Sequence, residues 1–294
     1  MTVLTNHVAN GILAPEVLTA SSLILSLLSA SALQAVPTQL VDGRQDLSVA
    51  EIVAAAALFG IDAPAIRMAL TRLAREGRIL GSKRGYYGLG DRAQQINSYI
   101  STWRDIVQIR TAWDNSWWVV LTGHLPRNDR KIIRQRERAL NLFGYAEAEK
   151  GMWVRPANLI YTLNEQQQRL VRSGLPCDET HFVVSEVISP RERSWSKLWP
   201  TKRLQKRYQV ALSKIGHSRE KLKSLELADA ARESFLTGQF VIRCIGSDPL
   251  LPDTLVNTVL FDQMHMEMVE FDERGREIWR DFLAEFSPKK EETP

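Results

Sequence analysis

Between Arg67 and Tyr86 the chain carries side chains suited to one kind of chemistry, hydrogen bonding to base edges and phosphates. Arg67, Met68, Thr71, Arg72 and Arg75 recur at three- and four-residue intervals, so on a helix they share one side. Ile66, Ala69, Leu70 and Leu73 interleave with them and fall on the other. The segment therefore reads as a helix with one apolar and one cationic face. Further on, Lys83 and Arg84 stand in Gly81-Ser82-Lys83-Arg84-Gly85, a glycine-bounded basic turn that leads into Tyr86-Tyr87-Gly88-Leu89. Guanidinium groups on a helix can donate to base edges in a major groove, and cations at a hairpin tip can meet phosphates. From Asp62 to Arg92 there are seven Lys/Arg and three Asp/Glu, a local charge of +4.

The flanking residues supply the elements that would position this set. Ser48 followed by Glu51 is a capping box, in which the serine oxygen accepts from a first-turn N–H and the glutamate reaches back. The apolar run Ile52–Phe59 is then stopped by Gly60. Asp62 caps a second helix with Pro64 in its first turn, where a missing N–H costs little, and Gly77 ends it. Ile79-Leu80 and Tyr86–Leu89 read as paired strands around the basic turn. Two helices at a tight turn followed by a basic hairpin are the sequence form of a winged helix-turn-helix. The predicted contact set is Ala63, Arg67, Met68, Thr71, Arg72 and Arg75 on the helix, with Lys83, Arg84 and Tyr86 on the wing. A solvated basic face is the plain alternative. The capped helix pair, the basic outer face and the basic hairpin together favour double-stranded DNA.

The totals bound the rest. At 294 residues, three units are expected: a winged helix over 1–95, a middle unit over 96–188 and a helical unit over 189–294 that serves effector binding or dimerisation. A formal charge of +4 and a pI of about 9.1 are mild, so the electrostatics of a DNA contact must be local. Cys177 and Cys244 are the only cysteines, which argues against a zinc site or a disulfide framework and fits a cytoplasmic location. Leu18–Val36 resembles a secretory leader, but no Lys or Arg precedes Arg44 and serines interrupt the apolar run. A core helix that packs Leu23, Ile24, Leu27, Leu28 and Leu33 on the helix pair is the better reading, and no membrane association is expected.

No nucleophile motif, glycine-rich phosphate loop or metal-ligand spacing is present. His265 lies among Met residues at helical spacing, and the nearby Glu267 and Glu270 are read as surface acids. The expectation is a protein that is not an enzyme, with no cofactor and no metal. An acyl-CoA-processing enzyme and a single-strand or RNA-binding protein working through the middle tryptophans are the alternatives.

In the middle, Trp117–Thr122 reads as a buried strand and Pro126–Asn141 as a long helix. Gly144-Tyr145-Ala146 leads into a strand, Lys150-Gly151 turns, Met152–Val154 forms another, and a helix over Glu165–Ser173 and a strand over His181–Ser185 follow. The order βαββαβ implies an antiparallel sheet with helices on one face, as in ferredoxin-like domains. The fold class is thus α+β with a mainly helical end. Arg191, Arg193, Lys197, Lys202, Arg203, Lys206 and Arg207, with Trp195 and Trp199 between them, form either an anion site or a solvated face over a tryptophan-anchored core. The run Arg127–Arg138 has three readings: a second DNA contact, an anion site or a solvent face. Leu204, Tyr208, Leu212 and Ile215 mark an amphipathic helix, and further helices are predicted over Leu222–Leu236, Asp253–Phe261 and Glu277–Phe286, the last with or without a break at Asp272–Gly275.

The chain resembles the PaaX family of bacterial transcription regulators, repressors of phenylacetic-acid catabolism, as a divergent member. Ala65–Leu73 is similar to its recognition helix. Trp113-Asp114-Asn115-Ser116-Trp117 resembles its Trp-Asp-Gly-x-Trp motif, with Asn for Gly. Leu142–Tyr145, Gly151-Met152-Trp153-Val154-Arg155-Pro156 and Asp248-Pro249-Leu250-Leu251-Pro252 resemble its later motifs in order and spacing. The pattern departs at Thr237–Phe240, where a histidine is usual, and at Thr258–Phe261, where a tryptophan motif is usual. The resemblance implies a homodimeric DNA-binding repressor released from its operator by a small-molecule effector, an aryl-CoA thioester.

Overall fold

The computed structural model describes residues 18–32, 40–41, 44–90, 102–126, 128–173, 175, 178–186 and 195–286. Helix α1 (Ala20–Ala32) buries Leu23, Ile24, Leu27 and Leu28 against the pair α2 (Val49–Ala57) and α3 (Ala63–Arg75). The leader-like run is therefore core; Leu33 lies outside the described residues. A two-residue hairpin, β1 (Leu40–Val41) with β2 (Arg44–Gln45), precedes α2. Strand β3 (Leu47–Ser48) runs directly into the α2 cap, where Glu51 N–H donates to Ser48 Oγ at 3.2 Å and Ser48 N–H to Glu51 Oε2 at 2.7 Å. Gly60, at φ +69°, makes the turn that no β-carbon would favour, and Asp62 accepts from Ala65 N–H at 2.8 Å to start α3.

Strands β4 (Ile79–Gly81) and β5 (Tyr86–Leu89) pair as predicted, with Ile79 opposite Leu89 and Gly81 opposite Tyr87. A third strand, absent from the expected hairpin, completes the sheet: β3 adds to β5, placing Leu47 opposite Tyr87, so the order is β3-β5-β4. Gly88 lies against the buried Asp46 side chain, whose carboxylate a β-carbon there would displace.

After a 3-10 turn at Thr102–Asp105, the middle unit runs β6 (Trp117–Leu121), α4 (Arg130–Leu142), β7 (Ala146–Glu149), β8 (Met152–Pro156), α5 (Leu163–Arg172) and β9 (Thr180–Val184). The sheet is antiparallel with order β7-β8-β6-β9, the ferredoxin-like topology that the βαββαβ order implies. Helix α4 begins four residues later than the predicted start at Pro126. Asp129 is its cap and accepts from Lys131 N–H at 2.7 Å.

Three long helices finish the chain: α6 (Thr201–Lys221), α7 (Leu227–Gly246) and α8 (Thr258–Ala284). They correct two boundaries. Helix α7 starts after Leu222 and continues ten residues past Leu236, since Thr237 and Gly238 are packed inside it rather than ending it. Of the two readings of Asp272–Gly275, the unbroken one holds: a single helix runs from Thr258 through this stretch, and its start is corrected, since Asp253–Val256 is a turn before it. Gly275 faces Ser234 of α7, where a β-carbon would find ordinary contact.

Apolar burial falls into two clusters. One joins the sheet residues Trp117–Val120, Trp153 and Val154 to Tyr208, Ile215, Val241, Met264 and Met268 of the long helices. The other holds α1–α3 and the wing strands, and Ala230, Ala231, Ile278, Trp279, Phe282 and Leu283 of α7 and α8 complete it. Phe59 meets Phe235 at 5.1 Å, and Phe235 meets Trp279 at 5.7 Å. The helix-turn-helix thus rests on a floor that the far end of the chain supplies.

Candidate nucleic-acid interface

Helix α3 commits Ile66, Ala69, Leu70 and Leu73 to the core and turns Arg67, Met68, Thr71, Arg72 and Arg75 to solvent. Ala63, half-buried, begins the helix. Met68 is 70% exposed. Thr71 Oγ1 donates to the Arg67 carbonyl at 3.0 Å, the back-bond common to helical threonine. Arg72 donates to Ser21 Oγ of α1, so its guanidinium is drawn to one flank of the face. The guanidinium groups of Arg67, Arg75 and Arg84 make no hydrogen bond or ion pair with another described residue.

The wing is tied to the helix pair by its backbone. Tyr86 N–H donates to the Lys83 carbonyl at 3.1 Å, Gly85 takes φ +80°, and Val49 N–H at the start of α2 donates to the Gly85 carbonyl at 2.9 Å. Lys83 and Arg84 are exposed at the tip, and Lys83 Nζ sits 4.0 Å from the centre of the half-buried Tyr86 ring. Arg78 pairs with Glu76 at 3.8 Å. The fold therefore brings a cationic helix face and a cationic hairpin tip onto one three-helix scaffold. A rod about 10–12 Å across, with guanidiniums on its outer side, matches the width of a major groove.

The remaining candidates take structural roles. Trp117, Trp118 and Trp153 are buried, at 3%, 4% and 7% exposure, so they give the middle sheet no stacking platform for single strands. Trp195 and Trp199 are likewise core: both ring-contact Trp117, and Trp199 Nε1 donates to the Gly144 carbonyl at 3.1 Å. Arg191, Arg193, Arg127 and Cys177 lie outside the described residues. On α4, Arg136 is buried 3.7 Å from Glu179, whose carboxyl is raised by burial, while Arg130, Arg134 and Arg138 are exposed. His265 Nε2 meets the Trp103 carbonyl at 2.9 Å, and Glu267 and Glu270 both pair with Arg219. Burial pushes the Cys244 thiol up to about 11. Among the described residues no three metal-ligating side chains cluster, and no helix is long and apolar enough to cross a membrane.

The motifs behind the family resemblance meet one another at a joint that sequence reasoning missed. The Arg155 guanidinium is buried in β8 without a carboxylate beside it. It donates to the carbonyls of Pro156 (3.1 Å), Phe143 and Pro249 (3.5 Å) and to Asn158 Oδ1 (3.3 Å). Burial draws its pKa down to about 10. Asn158 Nδ2 donates to the Leu250 carbonyl at 2.8 Å, and Gly144 lies against Pro249, where a β-carbon would come within 2.7 Å of the carbonyl oxygen. Asp248 accepts from Arg207 (3.0 Å) and Tyr208 (2.5 Å) of α6, and its other oxygen accepts from Leu250 N–H. The only local signal was an arginine within an otherwise apolar strand. In Trp113–Trp117, Asn115 takes φ +69°, the backbone conformation that accounts for the glycine usual there, and Asp114 accepts from Ser116 N–H at 2.9 Å.

Residues 19–93 match the family model described as PaaX-like protein. The resemblance to this family of transcription regulators therefore holds for the segment that carries the helix pair and its wing. Among solved structures, the uncharacterized protein Rv0674 from Mycobacterium tuberculosis is similar in fold. Its TM-score is 0.60 at 18% sequence identity, with 90% of this chain and 98% of that chain covered. No curated protein matches the chain.

Proposed function

We propose that the chain is a transcription regulator that binds duplex DNA, reading its operator with α3 and gripping the backbone with the wing. One observation carries this reading. Helix α3 keeps its apolar side in a core and presents Arg67, Met68, Thr71 and Arg75 outward on a helix capped and tied at both ends. Arg67 donates to base edges with Met68 and Thr71 beside it. Arg75, Lys83 and Arg84 bind phosphates, Ala63 and Tyr86 lie along the backbone path, and Arg72 works from the rim where Ser21 holds it.

The finer reading draws on the family resemblance. The protein acts as a homodimer on two half-sites about one helical turn apart. It represses an aromatic-acid catabolic operon, and an aryl-CoA thioester releases it by favouring a dimer geometry that no longer matches the groove spacing. The test is selection of duplexes from a random library by the full chain, followed by competition with the matching single strands at fixed salt. A paired-site consensus that single strands fail to displace supports the reading; equal competition by single strands refutes it. For the effector, CoA thioesters of aromatic acids should raise the melting temperature, because a ligand of the native state stabilises it.

A further inference from the structure

On α3, Pro64, Met68, Thr71 and Arg75 lie on one line within about 60° of arc, the crest of the exposed face. Nearly all of that crest is apolar or unable to donate. Pro64 has no N–H, and Thr71 spends its hydroxyl proton on the Arg67 carbonyl, leaving a methyl group and an oxygen that can only accept. Met68 stands between them at 70% exposure, matched among exposed large apolar side chains of the described residues only by Val259. The donors lie to the sides: Arg67 on one flank, Arg72 drawn toward Ser21 on the other, and Arg75 at the end. A helix that buries its other large apolar residues gains nothing in water from a methionine at its crest. The major groove has one apolar projection, the 5-methyl group of thymine. A guanine beneath this crest would lose water from O6 and N7 and find no donor.

We infer that Met68 packs on a thymine methyl group and is the residue that fixes a T·A pair at the centre of each half-site. The inference rests on the reading of α3 as the groove helix. It also places the arginine contacts beside that base pair and not on it.

The experiment uses the full chain and the duplex selected from a random library. Each thymine of a half-site is replaced in turn by deoxyuridine, which deletes only the methyl group, and affinity is read by fluorescence anisotropy at fixed salt. At one thymine per half-site the wild type should lose about three- to tenfold, the scale of one buried methyl contact. Met68→Ala should bind the thymine and deoxyuridine duplexes equally, and Met68→Leu should keep the preference. Indifference of the wild type to deoxyuridine at every position overturns the inference while leaving α3 as the groove helix. So does a preference that survives Met68→Ala, or one abolished by Thr71→Ser instead. A chain that selects no duplex sequence brings down the groove-helix reading, and this inference with it.

Discussion

Replacing Arg155 with lysine keeps the positive charge and removes the fork. The guanidinium reaches four acceptors on three stretches of chain: Phe143 before β7, Pro156 at the end of β8 with Asn158 just beyond it, and Pro249 after α7. A single ammonium nitrogen at the end of a shorter stem cannot span them, so at least two acceptors lose their donor inside the protein. Hydrogen bonds to a charged group contribute about 1.5–3 kcal/mol each. For two such bonds the loss should therefore be about 3–6 kcal/mol, a large share of the roughly 5–15 kcal/mol typical of a folded domain. Equilibrium urea unfolding followed by tryptophan fluorescence reads this directly, since Trp117, Trp118, Trp153, Trp195 and Trp199 all lie in the core beside the joint. Below the transition, Arg155→Lys should still bind duplex DNA, because α3 sits in the other apolar cluster. A midpoint within about 0.5 kcal/mol of wild type, the range of ordinary surface changes, would refute the claim that this fork holds the middle sheet to the long helices.

Three further outcomes follow from the same contacts. A fragment of residues 1–95 lacks Ala230, Ala231, Ile278, Trp279, Phe282 and Leu283, which complete its core; it should show non-cooperative melting and dye binding, and cooperative unfolding of the isolated fragment would contradict the shared floor. Burial raises the Glu179 carboxyl, so between the ordinary glutamate range and the raised value the native state binds more protons than the unfolded chain. The resulting stability is fully present below the ordinary glutamate range and is lost as pH rises through the raised value; Glu179→Gln should flatten that part of the pH–stability curve, and an unchanged curve would exclude it. Lys83→Ala should weaken binding to all duplexes alike and reduce the slope of log affinity against log salt by about 1, whereas a sequence-selective loss would move Lys83 from the backbone to a base.

The head of the molecule was legible because its signals are local. A capping box, a glycine stop, an aspartate cap and a glycine-bounded hairpin each act within a few residues, and they placed α2, α3, β4 and β5 to within a residue or two. The outward set on α3 followed from periodicity alone. What failed was non-local. Strand β3 has only two residues, too few for an alternating pattern, and is defined by its pairing with β5 some forty residues on. At Gly275 local signals left a break or a continuous helix equally open, and packing of α8 on α7 decides for the continuous one despite the weakness of glycine in a helix. The pull of Ser21 on Arg72 joins residues 51 apart in sequence, and the Arg155 joint closes over 94. Neither can be read from spacing.

Arg67 is the guanidinium that the account sets against base edges with no protein partner among the described residues. The decisive measurement is the affinity of wild type and Arg67→Ala for the selected duplex and for a scrambled duplex at one salt concentration. Arg67→Ala should lose about 1–3 kcal/mol on the selected duplex and change little on the scrambled one. Equal affinities of the two proteins for the selected duplex would contradict it.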